Sequence, residues 1–312
     1  MNFYSDDAFL RTLAEAAFPG RACDVGLFSN HGQVFRLLTV DGRPISHYPF
    51  LDLLEPLSEP HAQEGRNQVR PLEWIPWALR AVIPAVGWKE QPWPDCLPCP
   101  FIEWNIYPDW ESFERTLPRR NNRARSRRNT EGDFGPLRFV EDERDPAVLE
   151  ACMAWKSQQY RATGHLDQFA KPSHVALFEG LHRRGALLVS AAYAGSRLIS
   201  VHAGFRHQGR FGYWIPARDP ELEARHGAGS LLLLWLLEQS YRRGDREFDF
   251  LIGDEDYKFE YATHVRIAGP LGTPPWPVRA RRGVKFLLDA VPWLGTPLRR
   301  IRGRLRNAAA PW

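Results

Sequence analysis

The chain has 312 residues, 44% of them hydrophobic and 25% charged, enough to bury one large core or two moderate ones, so two domains are expected. Nothing in it is of low complexity, no repeat of solenoid or propeller period occurs, and no stretch reaches the roughly 18 apolar residues of a membrane span. The net charge of +4 is unevenly placed: residues 277–312 hold nine Arg or Lys against the single acid Asp289, which leaves the rest of the chain mildly acidic.

The opening MNFYSDDAFL is acidic and lacks a long apolar run, so it does not read as a signal peptide, and a cytoplasmic location, at most peripheral on a membrane, is expected. DDAFLRTLAEAAF has a helical pattern that stops at Pro19-Gly20. QVFRLLTVDGRPISHYPF reads as two short strands turning at Asp41-Gly42, and polar residues 55–70 read as a loop. PLEWIPWALRAVI is expected to be a helix, and CPFIEWNIYP a strand bounded by prolines.

The four cysteines are Cys23, Cys96, Cys99 and Cys152. Cys96-Leu-Pro-Cys99 has the spacing of a zinc half-site or a redox pair. Zinc needs a second pair that the chain lacks, and a redox pair needs to open a helix, whereas Pro100 and a strand follow. A structural role is expected, with no metal. Residues 110–117 look helical up to Pro118, and six arginines then fall within 119–128, either a solvated helix face or an anion-binding surface.

The second half is more regular. DPAVLEACMAWKSQQYRATG fits a helix capped by Asp145 with Pro146 in its first turn, and SHVALFEGLHRRG fits another. ALLVSAAYAGSRLISVHAGFRHQGRFGYWIPA reads as three strands with turns at Ala-Gly-Ser and His-Gln-Gly. GAGSLLLLWLLEQSYRRG is an apolar helix opened by glycines, and REFDFLIGD is a strand returning parallel, before a short helix and a last strand in YKFEYATHVRIAGPL. Hairpins, a crossover helix and a parallel return give a mixed α/β (α+β) sheet.

In FDFLIGDEDYKFEYA three acids within four positions follow a hydrophobic strand. Two readings stay open. Asp254 and Glu255 cap the next helix, where free N–H groups favour acids, or they line a catalytic edge, since open α/β sheets place their chemistry beyond the carboxyl ends of strands.

WKSQQYRATG, YWIPARDPELEARHGAGSLLLLWLLE and above all FDFLIGDEDYKFEYA resemble the GNAT acyltransferases, in particular their CelD-like (cellulose-biosynthesis) branch, which is related to the Fem-type tandem-GNAT aminoacyltransferases. FRLLTVDGRPISHYPF and CPFIEWNIYPDWESFERTL carry a weaker likeness. The resemblance implies a GNAT-like half over residues 1–130, an acyltransferase half over 131–275, and a basic extension over 276–312 outside it. It also implies acyl-thioester chemistry, with the phosphates of acyl-coenzyme A on Gly227, Ala228, Gly229 and Ser230. Glycines admit close approach, and helix N-terminal N–H groups attract phosphate; the alternative is a loop that merely turns the chain. The family's Gln or Arg three residues before the first glycine is Ala224 here, with Arg225 one position later, so an acyl carrier protein or aminoacyl donor also stays open.

For the chemistry, an ammonium must lose a proton before it attacks a carbonyl. Glu255 is the expected base, its pKa raised by the neighbouring acid, with Asp254 orienting the amine and His202 as second candidate. Lys258 is expected to bind a substrate carboxylate or phosphate, Tyr257 to protonate the departing thiolate, and Trp214 to line the acyl groove. Asp249 is expected to pair with Lys258 or Arg197. Three function classes follow: an N-acyltransferase acting on an amine-bearing small molecule or lipid; a Fem-like enzyme using aminoacyl-tRNA, for which the arginine run and basic tail would neutralise phosphates; and a non-catalytic scaffold. The tail, apolar around Phe286 and Trp293 and basic beyond Pro297, suits an anionic membrane surface, packing on the body, or an acidic carrier protein.

Overall fold

The structure, a computed structural model, describes residues 2–58, 69–90, 93–117 and 120–276. The basic tail beyond Trp276 and most of the 55–70 loop lie outside the described residues.

Helix α1 (Asp7–Ala17) is capped by the Asp6 carboxylate, which accepts from the Ala8 N–H at 2.8 Å. Strands β1 (Cys23–Asn30) and β2 (Gln33–Val40) pair antiparallel around His31-Gly32, and the expected Asp41-Gly42 turn leads into the short β3 (Arg43–Pro44). With β4 (Arg70–Pro71) these make a four-stranded sheet ordered β3-β2-β1-β4. The expected pairing across Asp41-Gly42 is present, but the longer hairpin precedes it.

The expected helix over PLEWIPWALRAVI is instead a strand, β5 (Trp74–Pro84), paired antiparallel with β12 (His264–Gly272). From Arg80 on, its residues alternate exposed and half-buried, the period of a strand. It lies at the edge of its sheet, where Pro76 and Pro84 leave no central ladder short of a donor.

β6 (Leu97–Glu103) follows, then α2 (Trp110–Thr116), α3 (Arg120–Phe134), β7 (Leu137–Val140), α4 (Pro146–Ala162) and α5 (Pro172–Arg183). From Arg120 on, the arginine run is therefore helical. Asp145 caps α4 as expected, accepting from the Ala147 N–H at 2.9 Å. Strands β8 (Leu188–Ala194), β9 (Arg197–His207) and β10 (Arg210–Arg218) form the expected meander, and α6 (Ala228–Arg242) crosses to β11 (Glu247–Asp249), parallel to β10, ahead of the short α7 (Asp256–Phe259).

These strands form one eight-stranded sheet ordered β5-β12-β6-β11-β10-β9-β8-β7. One core gathers Phe9, Cys152, Phe178, Val201, Phe205 and Trp214 under α1, α4 and α5; the other gathers Phe113, Phe211, Tyr213, Leu236, Phe248 and Phe250 under α2 and α6. Alternation along β10 sends Tyr213 into the second core and Trp214 into the first. Cys99 is buried with Leu53 and Ala268, Cys96 is half-buried, and all four cysteines are free thiols.

Candidate functional site

β10 and β11 are paired over only three residues, Arg210 to Gly212 against Glu247 to Asp249. The chain after β11 then leaves for β6: the Phe250 N–H donates to Pro100 O and the Gly253 N–H to Pro98 O, both at 2.9 Å. β10 stays with β9 through a bulge between Gly212 and Ile215. The two parallel strands therefore part, and the split opens at their carboxyl ends, where an open α/β sheet holds its ligand.

His202 lies on β9 behind the bulge. Its Nε2 accepts the Trp214 N–H at 3.1 Å, and its ring stacks on Tyr213 with centroids 4.6 Å apart. It is fully buried, and burial pushes its pKa down to about 3. The imidazole is neutral with one nitrogen engaged on the bulge, an arrangement that suits holding β10 rather than taking a proton.

The glycine loop opens α6 on one side of the split. Gly227 adopts φ 57° against α3, and a Cβ there would sit 2.8 Å from Ser126 Oγ. Ala228 is buried, Gly229 has nothing within 4 Å of its Cβ direction, and Ser230 is exposed. Among the described residues no side chain caps the first turn of α6, whose N–H groups face outward. Arg225 is held by Asp133 and Glu223, each at 2.8 Å, and buried His226 meets Asp133 at 2.9 Å, a bond that heads the causes lowering the Asp133 pKa. α3 is fastened beside this loop: Asn129 donates to Arg225 O at 3.3 Å and Thr130 to His226 O at 3.0 Å. Two features that are far apart in sequence, the arginine run and the glycine loop, thus meet, with Arg125, Arg127 and Arg128 exposed on α3.

On the other side stands the turn Gly253-Asp254-Glu255. Gly253 has φ 147°, and a Cβ there would fall 2.1 Å from Glu255 Oε2 and 2.5 Å from Lys258 Nζ. Only glycine leaves room for that pair. Lys258 is buried, 2.9 Å from Glu255 and donating to Ile252 O at 3.1 Å. Burial alone would raise the Glu255 pKa, but the Lys258 charge and hydrogen bond outweigh it and the net shift is downward. The expected upward push on Glu255 is thus reversed, because its closest charge is a lysine and not the neighbouring acid.

Asp254 does not join Glu255. It lines a separate shallow cavity of ≈ 230 Å³ with Trp88, Lys89, Trp93 and Cys96. Glu255 occupies the cap position of α7 without making a side-chain cap bond. Tyr257 is half-buried against the second core, and burial first, then Glu255, raises its pKa well above the usual phenol range. Asp249 pairs with neither Lys258 nor Arg197. It meets Arg266 at 3.1 Å and Arg210 at 3.7 Å, while Arg197 is taken by Asp219 at 2.7 Å. Asp249 is fully buried on a three-residue strand, and the guanidinium of Arg266, reaching from β12 across the intervening β6, takes the place expected of Lys258 or Arg197.

One group at the split was not singled out from the sequence. Asp52 Oδ2 accepts from Trp214 Nε1 at 3.0 Å and from the Tyr4 hydroxyl at 3.3 Å. Burial pushes its carboxyl up to about 6, against the pull of Trp214, Lys258 and Tyr4. Lys156 and Tyr160, four apart on α4, complete this side. Burial lowers the Lys156 pKa, and Glu255 acts electrostatically on both residues. The available signal was an acid set among the leucines of LDLLEPL, where Leu51, Leu53 and Leu54 are all buried.

Residues 118–259 match the family model described as Acetyltransferase (GNAT) domain. Among curated proteins no sequence matches the chain. Solved structures similar to it include FemX (9% identity, 87% of this chain and 95% of that one, TM-score 0.49) and L-PGS from Bacillus licheniformis (10%, 88% and 95%, 0.44). A third is a tandem GNAT protein from the clavulanic acid biosynthesis pathway (14%, 86% and 89%, 0.38). The fold is GNAT-like, with the split sheet and crossover helix inside the matched segment, and the chain is an acyltransferase by that domain.

Proposed function

We propose that the chain is an N-acyltransferase that moves an acyl group from a coenzyme A thioester to an amine on a small molecule or lipid precursor, in keeping with the CelD-like resemblance. The observation that carries this reading is the parting of β10 and β11 beside the uncapped N-terminus of α6. A thioester arm laid in the split would reach from phosphates at that helix end to the groups around Lys258. The Ala228 to Ser230 N–H groups would hold the phosphates, aided by the helix dipole and the arginines of α3, while Gly227, whose own N–H donates to Ala224 O at 3.2 Å, turns the chain into the helix. The ionised Glu255 suits an ammonium ligand better than it suits a proton acceptor, with Lys258 setting its charge and position. Asp254, in its own cavity, is left to bind a distal part of the acceptor, and Tyr257 to protonate the thiolate. Trp214 would line the acyl groove.

Arg125, Arg127 and Arg128 favour a second reading, an aminoacyl-tRNA donor, because a basic helix face also neutralises a nucleic-acid backbone. Incubation with acetyl-, long-chain acyl- and carrier-protein thioesters and with aminoacyl-tRNA, plus a panel of amines, separates the readings. Thiol release from coenzyme A is the expected result, and transfer only from tRNA would overturn it. The segment 277–312 is proposed to hold the protein on anionic bilayers, which co-sedimentation of full-length protein with anionic and neutral vesicles tests.

A further inference from the structure

Every ionisable group expected to act as base is otherwise engaged. His202 spends Nε2 on the Trp214 N–H, Glu255 is tied to Lys258, and Asp254 faces a different cavity. A carboxylate from the far N-terminal part of the sequence is placed where they fall short. The segment carrying Asp52 is stitched to β5, with Leu54 N–H donating to Trp77 O at 2.8 Å and Leu79 N–H to Leu54 O at 3.0 Å. Leu51, Leu53 and Leu54 are buried on either side of Asp52. The carboxylate is thereby held against Trp214, just beyond the point where β10 leaves β11, while Lys258, past the other lip, attracts it across the split.

We propose that Asp52 is the proton acceptor for the incoming amine. This inference rests on the acyl-transfer reading. Asp52 Oδ2 is occupied by the Trp214 indole and the Tyr4 hydroxyl, two donors that fix the carboxyl plane; the proton is taken by Oδ1. The ammonium R–NH3⁺ gives one proton to Asp52, and the neutral amine adds to the thioester carbonyl carbon. The C–N bond forms, the C–S bond breaks, and the sulfur leaves as thiol with the proton of Tyr257, which takes up the second amine proton in its place. Asp52 then returns its proton to water.

The groups facing Asp52 come from five elements: Tyr4 from the N-terminal turn, Lys258 from α7, Asp249 from β11, Tyr160 from α4 and Cys99 from β6. Lys258 and the two hydrogen bonds favour the ionised form, whereas burial and Asp249 oppose it, so the carboxyl titrates near the useful range of a base, about 6.

The test measures kcat for thiol release from acetyl- and long-chain acyl-coenzyme A, with the best amine of a panel, from pH 5 to 9. The wild type should show a rising limb, since the base must be ionised. Tyr4→Phe keeps the packed ring but removes one donor to the carboxylate, so the limb should move to higher pH by several tenths of a unit. Asp52→Asn should lose about 100-fold or more in kcat with the donor KM within about twofold. A limb unmoved in Tyr4→Phe, or an Asp52→Asn variant within about tenfold of wild type, overturns the assignment while leaving the acyl-transfer reading intact. Should Asp52→Asn fail to fold by circular dichroism, the Tyr4→Phe limb decides alone. A wild type that releases thiol from neither donor overturns the functional reading, and this inference with it.

Discussion

His202 offers a thermodynamic test of the bulge that shapes the split. Its pKa is about 3 in the folded protein against the ordinary 6.5, with burial as the cause. A depressed folded-state pKa means that the unfolded chain binds the proton more readily. The neutral ring therefore contributes nothing to pH dependence above about pH 6.5, and stability is lost progressively as pH falls from there towards 3. Between pH 6.5 and 4.5 the loss is about 1.4 kcal/mol per unit, or about 2.7 kcal/mol. Other groups titrate in the same window, and Asp52 has the opposite sign, because its raised pKa makes the folded state the better proton binder below pH 6. A difference between proteins cancels them. Urea unfolding of wild type and His202→Gln at pH 7.5 and 4.5 should show wild type losing about 2 to 3 kcal/mol more than the variant over that interval. The variant should be the less stable at pH 7.5, since the Trp214 N–H loses a well-placed acceptor, at a cost of about 1 to 3 kcal/mol. Equal pH dependence in the two proteins would refute a neutral, buried His202 pinned to the bulge.

Gly253→Ala should cost about 2 to 4 kcal/mol in chemical denaturation, from strained φ and the broken Glu255–Lys258 contact; a loss below about 0.5 kcal/mol counts against that turn geometry. The two loop glycines should differ: Gly229→Ala, which meets open space, should leave the melting temperature within about 1 °C yet weaken coenzyme A binding severalfold, whereas Gly227→Val should lower both. Calorimetric titration with coenzyme A checks this, and unchanged affinity in both would remove the loop as the phosphate site. Glu255→Gln should raise the KM for the amine by about tenfold with a smaller change in kcat, since a charge partner is lost; a kcat loss of about 100-fold or more at unchanged KM would return the base to Glu255.

Much of the second half was legible because local signals agree there. Asp145-Pro146 and Gly164 bracket α4, glycine turns separate β8, β9 and β10, and the Leu-rich run spans α6. β5 was misread because WIPWALRAVI has enough apolar residues for either period, and what settles its form is pairing with β12, nearly 190 positions further on. β1 went unnoticed since CDVGLFSN carries a glycine and few β-branched residues, yet every residue of it pairs with β2. Gly227 to Ser230 and the Asp254–Glu255 turn are visible as local chemistry. The electrostatic outcome at Glu255 is not, because it depends on how deeply Lys258 is sunk. Asp52 was hidden for a similar reason. Its neighbours Tyr4, Trp214 and Lys258 come from three remote parts of the chain, and spacing along a sequence carries no trace of them.

The order of strands in the larger sheet bears on how the chain acquires its shape during synthesis. β6 lies between β11 and β12, with Phe101 opposite both Asp249 and His264, so it bonds on both flanks to strands made nearly half a chain later. As it leaves the ribosome it has no partner on either side, and closing those pairings carries a large loop-entropy cost before any contact repays it. The segment from residue 131 onward, produced alone, would lack this strand and β5 as well, leaving β11 with one bare edge and β12 without a partner on either side, and such unpaired strands invite pairing with other chains. Slow, late assembly of the sheet is expected, with a need for chaperone shelter, and the portion that carries the acyltransferase signature should be poorly soluble by itself.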